Sequence, residues 1–175
     1  MRLLKRLITL SPAACLLAAG LIGPALSLAS EREDNIKAAF IFNFARFTEW
    51  PAGSFREASS RIRICFRSDH PLANALDDLN GKAIGDRKIE TVAFQFSAQP
   101  VERCHIAMVL PGENKVPRKG LLTIGDTPDF AELGGVVGLV QVGRQIRFEI
   151  NEGGIDRAGL RMSSKLLRLA LKVIR

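Results

Sequence analysis

The strongest periodic pattern in the chain lies between residues 31 and 50, where large apolar side chains recur every three or four positions. This spacing is that of one helix face, and the run holds neither glycine nor proline before Pro51. Ser30 and Glu33 have the spacing of a capping box, so we predict a helix over residues 31–48 that ends ahead of Pro51. The predicted core face carries Asn43 and the apolar residues Ile36, Phe40, Phe44, Phe47 and Trp50.

The opposite side of this helix is also apolar, because it carries Ile41, Phe42 and Ala45. A second large apolar patch on a helix often marks a surface that binds another protein or a second copy of the same chain. The sequence leaves one alternative open, in which the fold covers both faces of the helix. The candidate contacts for a partner or a homodimer are Ile41, Phe42, Arg46 and Glu49.

Shorter patterns after Pro51 alternate between strand and helix. Apolar runs predict strands at 61–66, 88–96, 104–110, 121–124, 136–142 and 145–150, the last two joined as a hairpin by Gly143 and Arg144. Helices are predicted between Asp69 and Gly81, at 127–133, from Asn151 to Ala158 and from Lys165 to Ile174. This order is typical of an α/β protein. The predicted fold is a three-layer α/β/α sandwich: a mostly parallel sheet with a C-terminal hairpin, and helices on both faces.

The first 29 residues have the form of a signal peptide. Three basic residues precede an apolar run from Leu7 to Ile22, and Ser27-Leu-Ala29 fits the small-x-small cleavage pattern. We therefore expect a signal peptide over 1–29, a single domain over 30–175, and a periplasmic location. An uncleaved anchor and cleavage after Ser27 are the alternatives.

Export also changes the charge of the chain. The net charge of +7 falls to +4 when the three basic residues of the leader are removed. No basic run with interleaved aromatic residues is present, and an exported protein does not meet nucleic acid. A nucleic-acid partner is therefore not expected.

Two cysteines remain after the leader, Cys65 and Cys104. In an exported chain a pair of thiols predicts a disulfide, with free buried thiols as the alternative. A metal site is less favoured, because His70 and His105 stand at no ligand spacing from the cysteines. A bridge would make the first predicted strand a neighbour of the third, which suits the strand order 2-1-3 of a doubly wound sheet.

No catalytic constellation is evident. The sequence has no Gly-x-Ser-x-Gly motif, and His70 and His105 lie beside a helix-starting proline and within an apolar strand, where structural roles are the better interpretation. We predict no enzyme, no cofactor and no metal. A candidate anion site consists of Arg161, Ser163 and Ser164, and ordinary capping of the last helix by the serines is the alternative.

Three segments carry a resemblance to a known family: KAAFIFNFARFTEWP at 37–51, GGVVGLVQVGRQIRFEIN at 134–151 and AGLRMSSKLLRLALKV at 158–173. They resemble the YfiR-like family of bacterial periplasmic regulators. The resemblance implies a small α/β protein that binds the periplasmic domain of an inner-membrane diguanylate cyclase and restrains it, so modulating cyclic di-GMP signalling. The connection at 111–120 is shorter than the helical crossover that the family has here, which leaves the sheet order open at this place.

An alternative function needs no protein partner. A single α/β lobe can bind a small solute in a crevice at the strand ends, as a periplasmic sensor domain does.

Overall fold

The computed structural model of the chain describes residues 23–56, 60–95, 103–110 and 118–175. The described helices are α1 (Gly23–Arg46), α2 (Ala73–Asp77), α3 (Glu152–Ala158) and α4 (Ser164–Leu169). The described strands are β1 (Thr48–Glu49), β2 (Ile62–Arg67), β3 (Ala83–Ile84), β4 (Arg87–Phe94), β5 (Ile106–Met108), β6 (Leu122–Gly125), β7 (Val137–Val142), β8 (Gln145–Asn151), β9 (Arg161–Met162) and β10 (Lys172–Ile174). The predicted leader lies largely outside the described residues.

Eight strands form one mixed sheet in the order β10-β8-β7-β6-β5-β2-β4-β3. The run from β7 to β4 is parallel throughout, while β8 returns antiparallel to β7 as the predicted hairpin. The predicted α/β class and the order 2-1-3, seen here as β4-β2-β5, are confirmed. Strands β5 and β6 are parallel neighbours, although most of their connection, residues 111–117, lies outside the described residues.

Side chains alternate between the two faces of this sheet. Ile64 and Phe66 of β2 join the main core together with α1 and α2, whereas Cys65 between them joins a smaller cluster on the other face. On that other face the ring of Phe130 lies against Gly125, where a Cβ atom would come within 2.4 Å of the ring. Thr123, on the same face of β6, lines a small cavity together with Gly154, Arg157 and Ala158 of α3. The sheet is therefore covered from both sides.

Helix α1 differs from the prediction at both ends. It is continuous from Gly23 to Arg46, so Ser30 lies inside the helix and the predicted capping box is wrong. The helix ends two residues earlier than predicted, because Thr48 and Glu49 extend into β1 and pair with β9. Among the described residues no helix combines the length and the apolar character needed to cross a bilayer.

The buried face of α1 is also rotated from the predicted one. Ile41 and Phe44 are fully buried and Ala45 is 1 % exposed, whereas Ile36 is 40 % exposed. Ile41 lies at the centre of the buried stripe, with Phe44 on one side of it and Ala38 and Ala45 on the other, and Phe40, Phe42 and Phe47 are partly buried beside them. Ile41 is therefore a core residue, and its prediction as a partner contact is wrong. Asn43, which the prediction places on the core face, donates to the carbonyl oxygen of Ala39 in its own helix (2.9 Å).

The predicted helix at 165–174 is wrong in part, and the predicted helix at 127–133 is wrong in full. The C-terminal one is divided: α4 ends at Leu169, and β10 follows as an edge strand parallel to β8. The backbone N–H of Leu171 donates to the Phe148 carbonyl oxygen (2.8 Å), which joins the chain to the sheet ahead of β10. Residues 127–133 form turns in place of a helix, with Asp129 at φ 57°.

The disulfide is present. Cys65 in β2 and Cys104 ahead of β5 are bonded with their Cα atoms 5.8 Å apart, as the sequence analysis expects for neighbouring strands. Both cysteines are almost fully buried and pack with Leu121 in the smaller cluster. The bridge therefore ties together the parallel strands at the middle of the sheet.

Candidate functional site

The remaining candidate contacts for a partner lie at and just beyond the C-terminal end of α1. With Ile41 buried, these are Phe42, Arg46 and Glu49, which we name the α1-end surface. Phe42 is half-buried against the main core, while Arg46 and Glu49 are exposed. The guanidinium carbon of Arg46 lies 5.7 Å from the centroid of the Phe47 ring, close enough for a cation–π contact that orients the side chain.

The structure brings two separately predicted groups of residues together here. In the β1–β9 pair, Glu49 lies directly opposite Arg161, and the backbone N–H of Ser163 donates to the Phe47 carbonyl oxygen (3.0 Å). Residues directly opposite each other across two strands are neighbours, so Glu49 and Arg161 lie side by side. The α1-end surface and the predicted anion site are therefore continuous.

The serines beside Arg161 act mainly on the backbone. Ser163 is the N-cap of α4, where its Oγ accepts from the Leu166 N–H (3.3 Å), and Ser164 is the first residue of that helix. This geometry is that of ordinary capping. Arg161 and Ser164 are exposed, and their candidate role in anion binding stays a prediction.

His105 has a structural role. Its Nδ1 accepts from the Arg63 backbone N–H (3.0 Å), so the proton lies on Nε2, which donates to the Ser54 carbonyl oxygen (3.0 Å). Burial lowers the pKa of His105, the hydrogen bond to Ser54 raises it, and the cationic groups of Arg63, Arg118 and Arg87 lower it further. The ring is therefore held neutral, with both nitrogens engaged.

His70 is structural as well. It is 3 % exposed, and its Nδ1 accepts from the Leu72 backbone N–H (3.1 Å) at the start of α2. The side chain thus accepts a hydrogen bond from a backbone N–H that lacks a partner within the helix. This agrees with the predicted structural role of His70.

A basic cleft of about 780 Å³ lies at the amino ends of β2 and β5 and just ahead of β6. Its described lining includes the loop 51–56, His105 and six cationic side chains, Arg56, Arg61, Arg63, Arg103, Arg118 and Lys119. Sequence reasoning missed this site because these residues are spread over more than sixty positions. In retrospect the available signal is arginine just before and within the first strand, at positions 61 and 63.

Aromatic packing holds one wall of this cleft. The rings of Phe55 and His105 stack with centroids 4.4 Å apart, and the guanidinium carbon of Arg87 lies 3.8 Å from the centroid of Phe55. Arg87 also donates to the Ser60 carbonyl oxygen (2.7 Å). Phe55, His105 and Arg87 therefore fix the loop 51–56 against the sheet.

The carboxyl ends of the strands carry a different feature. Lys37 Nζ of α1 pairs with Asp126 Oδ2 just beyond β6 (3.2 Å) and with Glu33 Oε1 (3.0 Å). Burial lowers the pKa of Lys37, but the hydrogen bonds and charges of the two carboxylates outweigh burial, so the pKa is raised overall. Lys37 thus acts as a charged tie between α1 and the sheet.

Comparison with solved structures gives remote likenesses. The chain is similar to the ABC domain from Streptococcus pneumonia in complex with L-Trp, at 10 % identity and a TM-score of 0.40, over 65 % of this chain and 55 % of that one. It is also similar to a conserved domain protein from Vibrio cholerae, at 13 % identity and a TM-score of 0.42, over 69 % and 56 % of the two chains. The chain thus spans just over half the length of each structure. A comparison with curated proteins finds no match.

A family model gives a more extensive match. The model described as YfiR/HmsC-like matches residues 34–171, which contain most of α1, the whole sequence from β1 to α4, and both cysteines of the disulfide. The match covers more than half of the chain and includes the segments at 37–51 and 134–151 and all but the last two residues of the segment at 158–173. This chain belongs to the YfiR/HmsC-like family.

Proposed function

We propose that this protein is a periplasmic regulator that binds the periplasmic domain of an inner-membrane diguanylate cyclase and restrains it. The observation that carries the proposal is family membership over residues 34–171, because YfiR/HmsC-like proteins are known as periplasmic regulators of diguanylate cyclases. The leader-like residues 1–29 and the bond between Cys65 and Cys104 support export of a single domain, residues 30–175.

The α1-end surface is the proposed contact. Arg46 and Glu49 supply exposed charges of opposite sign. Phe42 packs partly against the main core and supplies a partly exposed apolar side chain. Arginine and aromatic residues are enriched among the residues that dominate binding energies at protein interfaces. Phe42 and Arg46 stand one helical turn apart, so the same partner surface can contact both.

Restraint by binding requires a partner with two arrangements. The regulator shifts the partner toward its inactive arrangement only as far as it binds that arrangement more tightly than the active one. No chemical step is needed for this role. The state of the cysteines and of His105 supports a non-catalytic role. Cys65 and Cys104 are bonded to each other, and His105 forms hydrogen bonds at both nitrogens.

The binding surface can be tested with a charge reversal. The mature protein is assayed against the isolated periplasmic domain of a candidate partner, a membrane protein with a GGDEF-type cytoplasmic domain encoded beside this chain. We expect Arg46→Glu to weaken binding by about tenfold or more, since a buried interfacial charge left unpaired costs several kcal/mol. Arg144→Glu in the exposed hairpin turn is the matched control and should bind normally. Equal binding by both variants would remove the α1-end surface from the proposal.

A small-ligand sensor is the second candidate function. In a sensor of this fold the ligand is expected in a crevice at the carboxyl ends of the strands. In this protein the ion pairs of Lys37 with Glu33 and Asp126 lie at that end of the sheet. Among the described residues the large cleft lies at the opposite end of the sheet. The position of the cleft thus differs from that of a usual α/β ligand site, and its concave volume of about 780 Å³ is the observation that favours a small ligand.

A further inference from the structure

The basic cleft concentrates the positive charge of the protein. Its described lining carries six cationic side chains against one carboxylate, that of Glu90, an excess of five positive charges. The whole chain beyond the predicted leader has a net charge of only +4, so the excess in the cleft is larger than that of the entire domain. Concave sites lined by charge of one sign raise the local concentration of ligands of the opposite sign.

Most of these cations are not neutralised by the described protein. Arg63 Nε pairs with Glu90 Oε2 (3.0 Å), and Arg118 donates to the Cys104 carbonyl oxygen (2.6 Å). Within the described residues, four cationic side chains form no ion pair: Arg56, Arg61, Arg103 and Lys119. These four side chains are exposed at the cleft and free to turn toward a ligand.

The wall of the cleft is held by contacts within the protein. The Phe55 and His105 rings stack, the Arg87 guanidinium lies against the Phe55 ring, and His105 is fixed by hydrogen bonds at both nitrogens. The cations of Arg63, Arg118 and Arg87 contribute to the lowered pKa of His105, so their positive potential reaches the cleft wall. A wall that is fixed before the ligand arrives reduces the ordering cost of binding.

We propose that this cleft binds a small soluble phosphate monoester. The guanidinium groups of Arg61 and its neighbours match the bidentate geometry of a dianionic phosphoryl group. A cleft of about 780 Å³ is within the range of ligand sites and is larger than a phosphate ion needs, which leaves room for the organic part of the ester. A concave site suits a soluble molecule better than the flat headgroup plane of a membrane. The inference does not depend on partner binding.

Calorimetry on the mature protein, in chloride buffer at fixed ionic strength, tests this proposal. The probes are glycerol 3-phosphate, inorganic phosphate, glycerol as the uncharged counterpart, and vesicles with and without phosphatidylglycerol. We expect saturable binding of glycerol 3-phosphate and none of glycerol. The double variant Arg61→Gln/Lys119→Gln should weaken binding by about tenfold or more, because each change removes a charged hydrogen-bond donor. Both residues are exposed, so the variant should keep the melting temperature.

A matched double variant, Lys165→Gln/Arg168→Gln, removes the same charge from exposed positions of α4, outside the cleft. It should bind glycerol 3-phosphate like the wild type. Equal weakening by the two double variants, absence of saturable binding, or binding to the anionic vesicles alone would each overturn the proposal. NMR gives a second readout, since the chain has only two histidines: bound phosphate should raise the pKa of His105 by offsetting the nearby cations.

Discussion

At the scale of single residues, Ile41 and Ile36 show how far one helix face can be misjudged. Both are isoleucines on α1, five positions apart, yet Ile41 is fully buried and Ile36 is 40 % exposed. Helical spacing identifies which residues share a face, and that grouping follows from sequence. Which face meets the sheet depends on packing against residues far away in the sequence, and here the face with Ala38, Ile41, Phe44 and Ala45 is the one that is buried.

This difference gives a matched pair of variants. Ile41→Ala should lower the free energy of unfolding by about 2–5 kcal/mol, because it removes buried methyl groups and leaves a cavity. Ile36→Ala makes the same chemical change at an exposed site and should stay within about 0.5 kcal/mol of the wild type. Urea unfolding of the mature proteins measures both. Similar losses for the two variants would show that the buried face is assigned wrongly.

His105 makes a prediction about pH. Its pKa in the folded protein is lowered from the usual 6.5, so the folded state binds the proton less well than the unfolded state. The stabilisation is fully present above about pH 6.5 and is lost progressively as the pH falls below that value toward the folded-state pKa. Urea unfolding should thus show lower stability at pH 5.5 than at pH 7.5, with a smaller difference in His105→Gln. An equal difference in the variant would assign the pH dependence to other groups.

Capping is predicted wrongly at Ser30, which lies inside α1, but the ends of the two C-terminal helices agree better with the sequence. Asn151, the start of the predicted helix, accepts from the Gly154 N–H (2.8 Å) at the start of α3, and Gly159 closes that helix with φ 62° directly after its predicted last residue. Ser163 likewise caps α4. These interactions join residues within a few positions of each other, so the information needed to predict them is local.

At the scale of elements, the C-terminal segment shows the limit of local information. The spacing of leucines and basic residues after Ser163 favours one helix to residue 174, and the helix does form as far as Leu169. Beyond it, the unpaired edge of β8 offers backbone partners that β10 takes up. A contact between residues 148 and 171 decides the structure, and no window of the sequence contains both ends of it.

The N–H of Leu171 tests this arrangement. Leu171→Pro removes the donor to the Phe148 carbonyl oxygen and should destabilise the protein by about 1–3 kcal/mol, because the acceptor loses its partner. Leu171→Ala keeps the donor and changes only a side chain that is 44 % exposed, so it should cost much less. Thermal unfolding of both variants measures the difference. Loss of stability in Leu171→Ala alone would point to side-chain packing and away from the backbone bond.

At the scale of the whole molecule, the sheet order is the feature that sequence predicts furthest. The cysteine pair links β2 to the start of β5, which fixes the neighbours at the centre of the sheet. The basic cleft is the opposite case. Its cations stand far apart in the sequence and meet only because the parallel strands β2 and β5 both start at one edge of the sheet, next to the residues ahead of β6.

The disulfide supports a prediction at this scale. Joint replacement of Cys65 and Cys104 by serine should lower the free energy of unfolding by about 2–4 kcal/mol, since the unfolded chain loses its cross-link. Cys15→Ser changes a residue in the predicted leader and should leave the exported protein unaltered. Urea unfolding of the mature proteins measures the loss of stability. Intact mass with alkylation under denaturing, non-reducing conditions shows whether the bridge is present and whether Cys15→Ser leaves the exported protein unchanged. Two alkylated thiols in wild-type periplasmic material would contradict the bridge.

The central claim is restraint of a membrane-bound diguanylate cyclase, and cellular cyclic di-GMP tests it most directly. A candidate partner cyclase, a membrane protein with a periplasmic domain and a GGDEF-type cytoplasmic domain, is expressed with the wild-type regulator, with Arg46→Glu, with Arg144→Glu, or without any regulator. Wild type and Arg144→Glu should lower cyclic di-GMP well below the level without regulator, and Arg46→Glu should leave it high at the same periplasmic amount. An unchanged level with wild-type protein present in the periplasm would contradict the proposed function, and full repression by Arg46→Glu would contradict the α1-end surface as the contact.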